Sequence, residues 1–272
     1  MLKVSQLLYY PIKSLPGIST TQMHLHKRGP KYDRRMMLID EKYHFLSQRK
    51  YPRLSILNLE HKNHSFLIRD PDDRLPELII PETPSIEGPI IDAQIWDDIC
   101  SVIAFKKEAS LWFTEYLKSP VQLVYQPSFG LRKVDSRYGL PDDEVSLSDG
   151  YPYLITTTAS LKKINKWTGL EYTIDRFRPN IIVENQIEFE EDKWNTIEIA
   201  GIPFRLPKKC ARCKMITIDP KTAEIDIDYS KLLAKYRTVN SQIIFGKNAC
   251  VDQYNAIIKI GDQVEVTSSN QQ

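Results

Sequence analysis

The densest chemistry in the chain is Cys210-Ala211-Arg212-Cys213. Two cysteines at this spacing are open to several readings. A redox dithiol places its first cysteine at a helix start, whose dipole lowers the thiol pKa. Here Lys214-Met215-Ile216-Thr217-Ile218-Asp219-Pro220 follows, and its pattern predicts a strand ending in a turn. A structural zinc site wants a second close ligand pair, but Cys100 and Cys250 are isolated and His24-Leu25-His26 is distant in sequence. Two cysteines beside a strand can also serve packing alone. The remaining reading is one thiolate on a soft or redox-active metal. Lys208, Lys209 and Arg212 would favour that thiolate and any anion beside it.

Basic groups recur at several expected strand ends. Tyr10-Pro11-Ile12-Lys13-Ser14-Leu15-Pro16-Gly17 reads as a strand running into a turn that presents Lys13 and Ser14. Tyr32-Asp33-Arg34-Arg35 opens another strand, and Gln48-Arg49 and Arg53 add further basic groups. Phe177-Arg178-Pro179-Asn180 precedes the apolar run Ile181-Ile182-Val183; Pro179 predicts an extended Arg178 with its guanidinium in a fixed direction. A planar fork of donors suits phosphate. The competing reading is a surface arginine paired with Asp175 or Glu184. A fold that gathers these ends would form an anion pocket without any excess of overall charge.

The elements that must do the gathering are mostly strands. Ile18 to Leu25 alternates, and Arg35 to Asp40, Leu54 to Leu59, Ser65 to Arg69 and Ile99 to Phe105 are short strand candidates. Such strands without intervening helices predict a barrel or sandwich. Helices are expected over Lys107 to Ser119, after a Thr157 cap to Trp167 with Gly169 ending it, and over Ser230 to Arg237. The last strands are Ala256 to Ile260 and Gln263 to Val266, and the polar end from Thr267 should fray. Gln126 to Gly150 lacks periodicity and reads as a boundary or a long functional loop.

Composition narrows the classes. The 272 residues carry 37 basic and 35 acidic side chains, a net +2 that argues against a nucleic-acid-coating protein. Ten glycines form neither G-x-G-x-x-G nor a phosphate loop; Ser241 to Asn248 lacks the opening glycine and the hydroxyl after Lys247. Apolar runs are too short for a signal peptide or a membrane span. Four cysteines do not make a secreted framework, so a reducing, cytoplasmic location is expected.

Taken together and in order, Tyr10 to Ser14, Asp33-Arg34, Gln48-Arg49 through Leu54, Ser148-Asp149, Phe177 to Asn180, Cys210 to Cys213 and Thr217 to Pro220 resemble the MOSC family with its N-terminal β-barrel partner domain. Within that family the likeness is to the amidoxime-reducing components of mitochondria and their bacterial relatives. The resemblance implies a mainly β protein with a few helices: an N-terminal β-barrel-like domain over 1–126, a β-barrel MOSC domain over 127–268, and a frayed tail over 269–272. It implies a molybdenum cofactor (Mo-molybdopterin), with no role for pyridoxal phosphate, and Cys213 as the protein ligand to the metal. Lys13, Ser14, Arg34 and Arg178, with Asn180 of the same motif, would contact the pterin and its phosphate. Asp149-Gly150-Tyr151 and the backbone at Ala211-Arg212 would close over it, with Asn248 a further contact. The implied activity is reduction of small N-hydroxylated or N-oxide compounds. With no cysteine-rich iron–sulfur loop before Gln272, the electrons are expected from a separate iron–sulfur or flavin protein. The resemblance also allows a non-catalytic cofactor carrier or sulfur-transfer module.

Overall fold

A computed structural model describes residues 1–84 and 88–270. The chain opens with β1 (Leu2–Tyr9), β2 (Ile18–Thr20), β3 (Gln22–His26), β4 (Gly29–Pro30) and β5 (Met36–Ile39). It continues through β6 (Asn58–Lys62), β7 (Ser65–Arg69), β8 (Leu78–Pro81), β9 (Ile90–Ile95) and β10 (Asp98–Ala104) to α1 (Lys107–Leu117) and β11 (Gln122–Tyr125). After a long irregular stretch come β12 (Tyr153–Thr157), α2 (Thr158–Thr168), β13 (Ile181–Glu184), β14 (Trp194–Ile199) and β15 (Ile202–Ala211). The last elements are α3 (Asp228–Arg237), β16 (Thr238–Val239), β17 (Gln242–Val251), β18 (Ile257–Lys259) and β19 (Gln263–Ser269). The mainly β expectation holds.

Seven strands close a barrel in the order β12-β13-β1-β19-β14-β15-β17, the ring completed by β17 pairing back to β12. Val4, Leu7, Ile155, Ile181, Trp194, Ile197 and Phe204 fill it. Alternation along each strand sends one set of side chains inward, as a closed sheet requires. The seam is tight at Gly246, whose φ is +79°; a Cβ there would meet the Ile155 carbonyl oxygen at 2.8 Å. The first strand therefore belongs to the barrel formed by strands beyond residue 150, across the sequence division expected at 126/127.

In the rest of the N-terminal half, β2 pairs with β1, β3 and β4 join β18 in a three-stranded sheet, and the other strands form a four-stranded sheet, β5-β11-β10-β9, and a three-stranded sheet, β6-β7-β8. Helix α1 places Ala109, Trp112, Phe113 and Tyr116 on the face that packs against Leu38, Leu54, Phe66 and Leu123. That spacing is one apolar helical stripe. Helix α2 begins and ends where Thr157 and Gly169 place it: Thr157 Oγ1 accepts from the Ser160 N–H, and Gly169 takes φ +69°. No helix among the described residues is long and apolar enough to cross a membrane.

Several local expectations are corrected. Leu54 to Leu59 is not one strand: Pro52–Ile56 is a 3-10 turn, with proline at its start, and β6 begins at Asn58. Lys214–Thr217 is likewise a 3-10 turn rather than a strand. The expected tail is ordered through Asn270: Ser269 pairs with Trp194, and the Asn270 N–H donates to the Lys193 carbonyl. Gln271 and Gln272 lie outside the described residues.

Candidate functional site

A cavity of about 270 Å³ opens where the barrel meets the N-terminal sheets and the irregular 126–152 stretch. Its lining includes every residue expected from the family resemblance to contact the cofactor: Lys13, Ser14, Arg34, Asp149, Gly150, Tyr151, Arg178, Asn180, Ala211, Arg212, Cys213 and Asn248; Gln48, Arg53 and Lys209 lie outside it.

One wall is basic and braced. Asp33, fully buried, accepts from the Tyr10 N–H at 2.8 Å, from Arg34 Nη1 at 2.7–2.9 Å and from Asn180 Nδ2 at 3.0 Å. Arg34 Nη2 also donates to the Arg178 carbonyl at 3.1 Å. The two guanidinium carbons lie 4.0 Å (Arg34) and 4.3 Å (Arg178) from the Tyr10 ring centroid. Arg178 is not extended as its Pro179 neighbour predicts; its φ is +54°. Ser14 (φ +72°) and Arg34 (φ +46°) share this left-handed conformation. Three strained non-glycine residues on one wall are what an over-determined functional site displays. Burial, with Arg34 nearby, pushes the Arg178 pKa down to about 10. Arg178 has no carboxylate partner among the described residues, and its buried Nη2 has no hydrogen-bond partner; it pairs with neither Asp175 nor Glu184.

Lys13 is 6% exposed and donates to the Leu147 carbonyl at 2.8 Å and to Asp149 Oδ1 at 2.6 Å. Burial lowers its ammonium pKa against the opposing pull of Asp149. The loop that delivers Asp149 is held by Arg132, which donates to the Ser146 and Ser148 carbonyls and pairs with Asp98 on β10. Asn180 differs from the other expected contacts. Its amide donates to Leu8 O and Asp33 and accepts from the Leu154 N–H and Arg34, so it braces the wall and offers no free group.

The opposite wall carries the thiols, at the end of β15. Arg212 Nη1 donates to Cys210 Sγ at 3.0 Å, and Nη2 to the Phe177 carbonyl at 2.7 Å, while the buried Nε has no partner. Cys213 is exposed, and its thiol makes no hydrogen bond among the described residues. Asn248, on β17, lines the same cavity, and its side-chain amide makes no hydrogen bond among the described residues.

Sequence reasoning missed Phe45, Ser47, Trp96, Arg176 and Met215, which also line the cavity. Trp96 carried one readable signal, a bulky aromatic between two alternating runs where a turn residue belongs.

The donor set fits a group with an anionic end and a soft metal. Unpartnered Arg178 Nη2 and Arg212 Nε, together with Lys13 and Arg34, suit phosphate, and a free thiol suits the metal. No three His, Cys, Asp or Glu side chains among the described residues are grouped to hold a metal. A metal in this cavity must therefore arrive with most of its own ligands, as a dithiolene cofactor provides, and the zinc reading loses its support.

Comparison with known families places this arrangement in a class. Residues 1–120 match the MOSC N-terminal beta barrel domain and residues 142–265 match the MOSC domain. The chain belongs to the proteins that join these two domains. Among its relatives, Mitochondrial amidoxime reducing component 2 of Macaca fascicularis is 29% identical over 231 residues, covering 82% of this chain and 68% of that protein. Mitochondrial amidoxime-reducing component 1 of Mus musculus is 27% identical, covering 96% and 81%. Molybdenum cofactor sulfurase of Danio rerio is 24% identical over 96% of this chain, which spans only 34% of that larger protein.

Proposed function

We propose that the protein is a molybdenum-cofactor-dependent reductase of N-hydroxylated compounds. The observation that carries this reading is the pairing, in one cavity, of the free Cys213 thiol with a braced basic wall. When bound, the cofactor supplies the two-electron chemistry that removes oxygen from nitrogen. The net change for an amidoxime is addition of two electrons and two protons, giving an amidine and water. Lys13, Arg34 and Arg178 would hold the anionic end of the cofactor, and Cys213 would ligate its metal. Arg212, tied to the Phe177 carbonyl, keeps the Cys210-to-Cys213 turn in place. Tyr10, Phe45 and Phe177 line or back the cavity and limit water. The electrons would come from a separate iron–sulfur or flavin protein. All four cysteines are free thiols, which suits a reducing compartment, and we place the protein in the cytoplasm.

A second reading is favoured by Cys210, a second thiol beside an arginine donor, and by the similarity to a molybdenum cofactor sulfurase. In it the domain holds or delivers the cofactor, or its sulfur, without turnover.

Turnover separates the two. Cofactor-loaded protein with an artificial electron donor should reduce an amidoxime. Cys213→Ser should lose more than about 100-fold in rate with unchanged thermal stability, and Cys210→Ser should be much milder. Loss in Cys210→Ser alone would reverse the ligand assignment, and cofactor-loaded protein with no turnover would favour the carrier.

A further inference from the structure

Ile95 pairs with Asp98 in the β9–β10 hairpin, so Trp96-Asp97 is a two-residue turn. Trp96 has φ +57°, a conformation that such turns give to glycine, asparagine or aspartate. A bulky aromatic there is strained, and neither core nor sheet asks for it: the side chain joins no buried cluster and remains 41% exposed. What fixes it are contacts at the cavity. Its Nε1 donates to Asp149 Oδ1 at 3.2 Å, the Phe45 ring lies 5.1 Å away, and the Arg49 guanidinium sits 4.3 Å from the indole centroid. Arg49 itself forms no ion pair with a carboxylate among the described residues; it bonds only Ser47 Oγ.

The result is a shelf of two aromatic rings and one planar cation, supplied by the N-terminal half. It lines the same cavity as Cys213 and Met215 on the barrel side. Of the groups assigned to the anionic end of the cofactor, Lys13 touches the shelf, its Nζ 5.0 Å from the Phe45 ring centroid, while Arg34 and Arg178 stack on Tyr10 instead and leave the Trp96 face to other ligands. Its chemistry is stacking: flat π systems gain from an aromatic face and from a guanidinium laid over it, while saturated groups gain little.

We propose that Trp96, backed by Arg49 and Phe45, is a specificity-determining residue that selects N-hydroxylated compounds bearing a flat aromatic ring conjugated to the N–O group. The proposal rests on the reductase reading for the identity of the N–O group, though the shelf's preference for aromatic ligands stands apart from it. Turn chemistry supplies a clean variant. Trp96→Gly puts the residue that a positive φ favours into the turn and removes the indole, so thermal stability should hold or rise.

The experiment compares benzamidoxime with acetamidoxime on cofactor-loaded protein. Without an electron donor, tryptophan emission reports binding at Trp96, because Trp112 and Trp194 are buried and Trp167 is stacked against Phe189 and Tyr236. Benzamidoxime should quench the wild-type emission, acetamidoxime should not, and the quench should vanish in Trp96→Gly. With a donor, the variant's KM for benzamidoxime should rise about tenfold, with the effect in KM rather than kcat, while that for acetamidoxime moves less than about twofold. Equal quenching by both compounds, or a variant that loses stability and raises both KM values alike, would overturn the proposal. A selective quench without turnover of either compound would support the shelf and reject the reductase.

Discussion

On the basic side of the cavity almost every charged group is committed before any ligand arrives. Asp33 is saturated by Tyr10, Arg34 and Asn180, Lys13 is tied to Leu147 and Asp149, and three residues sit at positive φ to hold the set. On the thiol side the backbone is tied but the thiol is open: Arg212 bonds the Phe177 carbonyl, a 3-10 turn follows Cys213, and the Cys213 thiol is exposed. On the proposed reading, the difference divides binding from reaction. A preorganised wall of buried charge loses little on meeting an anion, whereas a metal ligand has to remain accessible. Arg178 Nη2 and Arg212 Nε, one from each wall, are left buried and unpartnered among the described residues, as are Tyr151 Oη and Arg176 Nε in the same lining.

The largest effect should come from breaking the brace. Asp33→Ala leaves Arg34 without its buried counter-ion and should cost about 3–5 kcal/mol in chemical denaturation, with loss of cofactor as the wall collapses. Stability within about 1 kcal/mol of wild type would mean that the wall is not braced as described. Arg178→Ala removes a side chain that holds nothing else in place by hydrogen bonds, so the chain should fold normally yet retain cofactor about 10- to 100-fold less well. Equal retention would move the anionic end elsewhere.

The smallest effect on the cavity should come from Glu191, which lies apart from its lining. It is fully buried, accepts from Thr157 Oγ1 and Ser160 Oγ, and burial raises its pKa to about 7. Because the folded value lies above the usual 4.5, the native state holds a proton that the unfolded state has released. Stability must therefore fall as pH rises from about 4.5 to about 7, and stay lower above that. Glu191→Gln should flatten this dependence, raising stability at pH 8 by about 2–3 kcal/mol with cofactor retention unchanged. An unaltered pH profile would show that Glu191 does not carry it.

Local signals were legible where one residue decides. Thr157 and Gly169 marked α2, and Pro120 lies just beyond the end of α1. The cavity was legible too, because thiol and phosphate chemistry restrict residue types whatever the backbone does. What stayed hidden was set by long-range contacts. Nothing within Leu2 to Tyr9 says that it pairs with β13 and β19, more than 170 residues away. Leu54 to Leu59 and Lys214 to Pro220 have short apolar patterns that fit a strand as well as a turn, and packing decided them. At Arg178, proline disfavours the right-handed helical region; stacking on Tyr10 and the bond from Arg34 to its carbonyl accompany the left-handed conformation adopted instead.

X-ray absorption at the molybdenum edge of cofactor-loaded protein tests the central claim most directly. Cys213→Ser should lose one sulfur ligand relative to wild type, and Cys210→Ser should lose none. An unchanged sulfur count in Cys213→Ser, or a purified protein that takes up no molybdenum, would contradict the account.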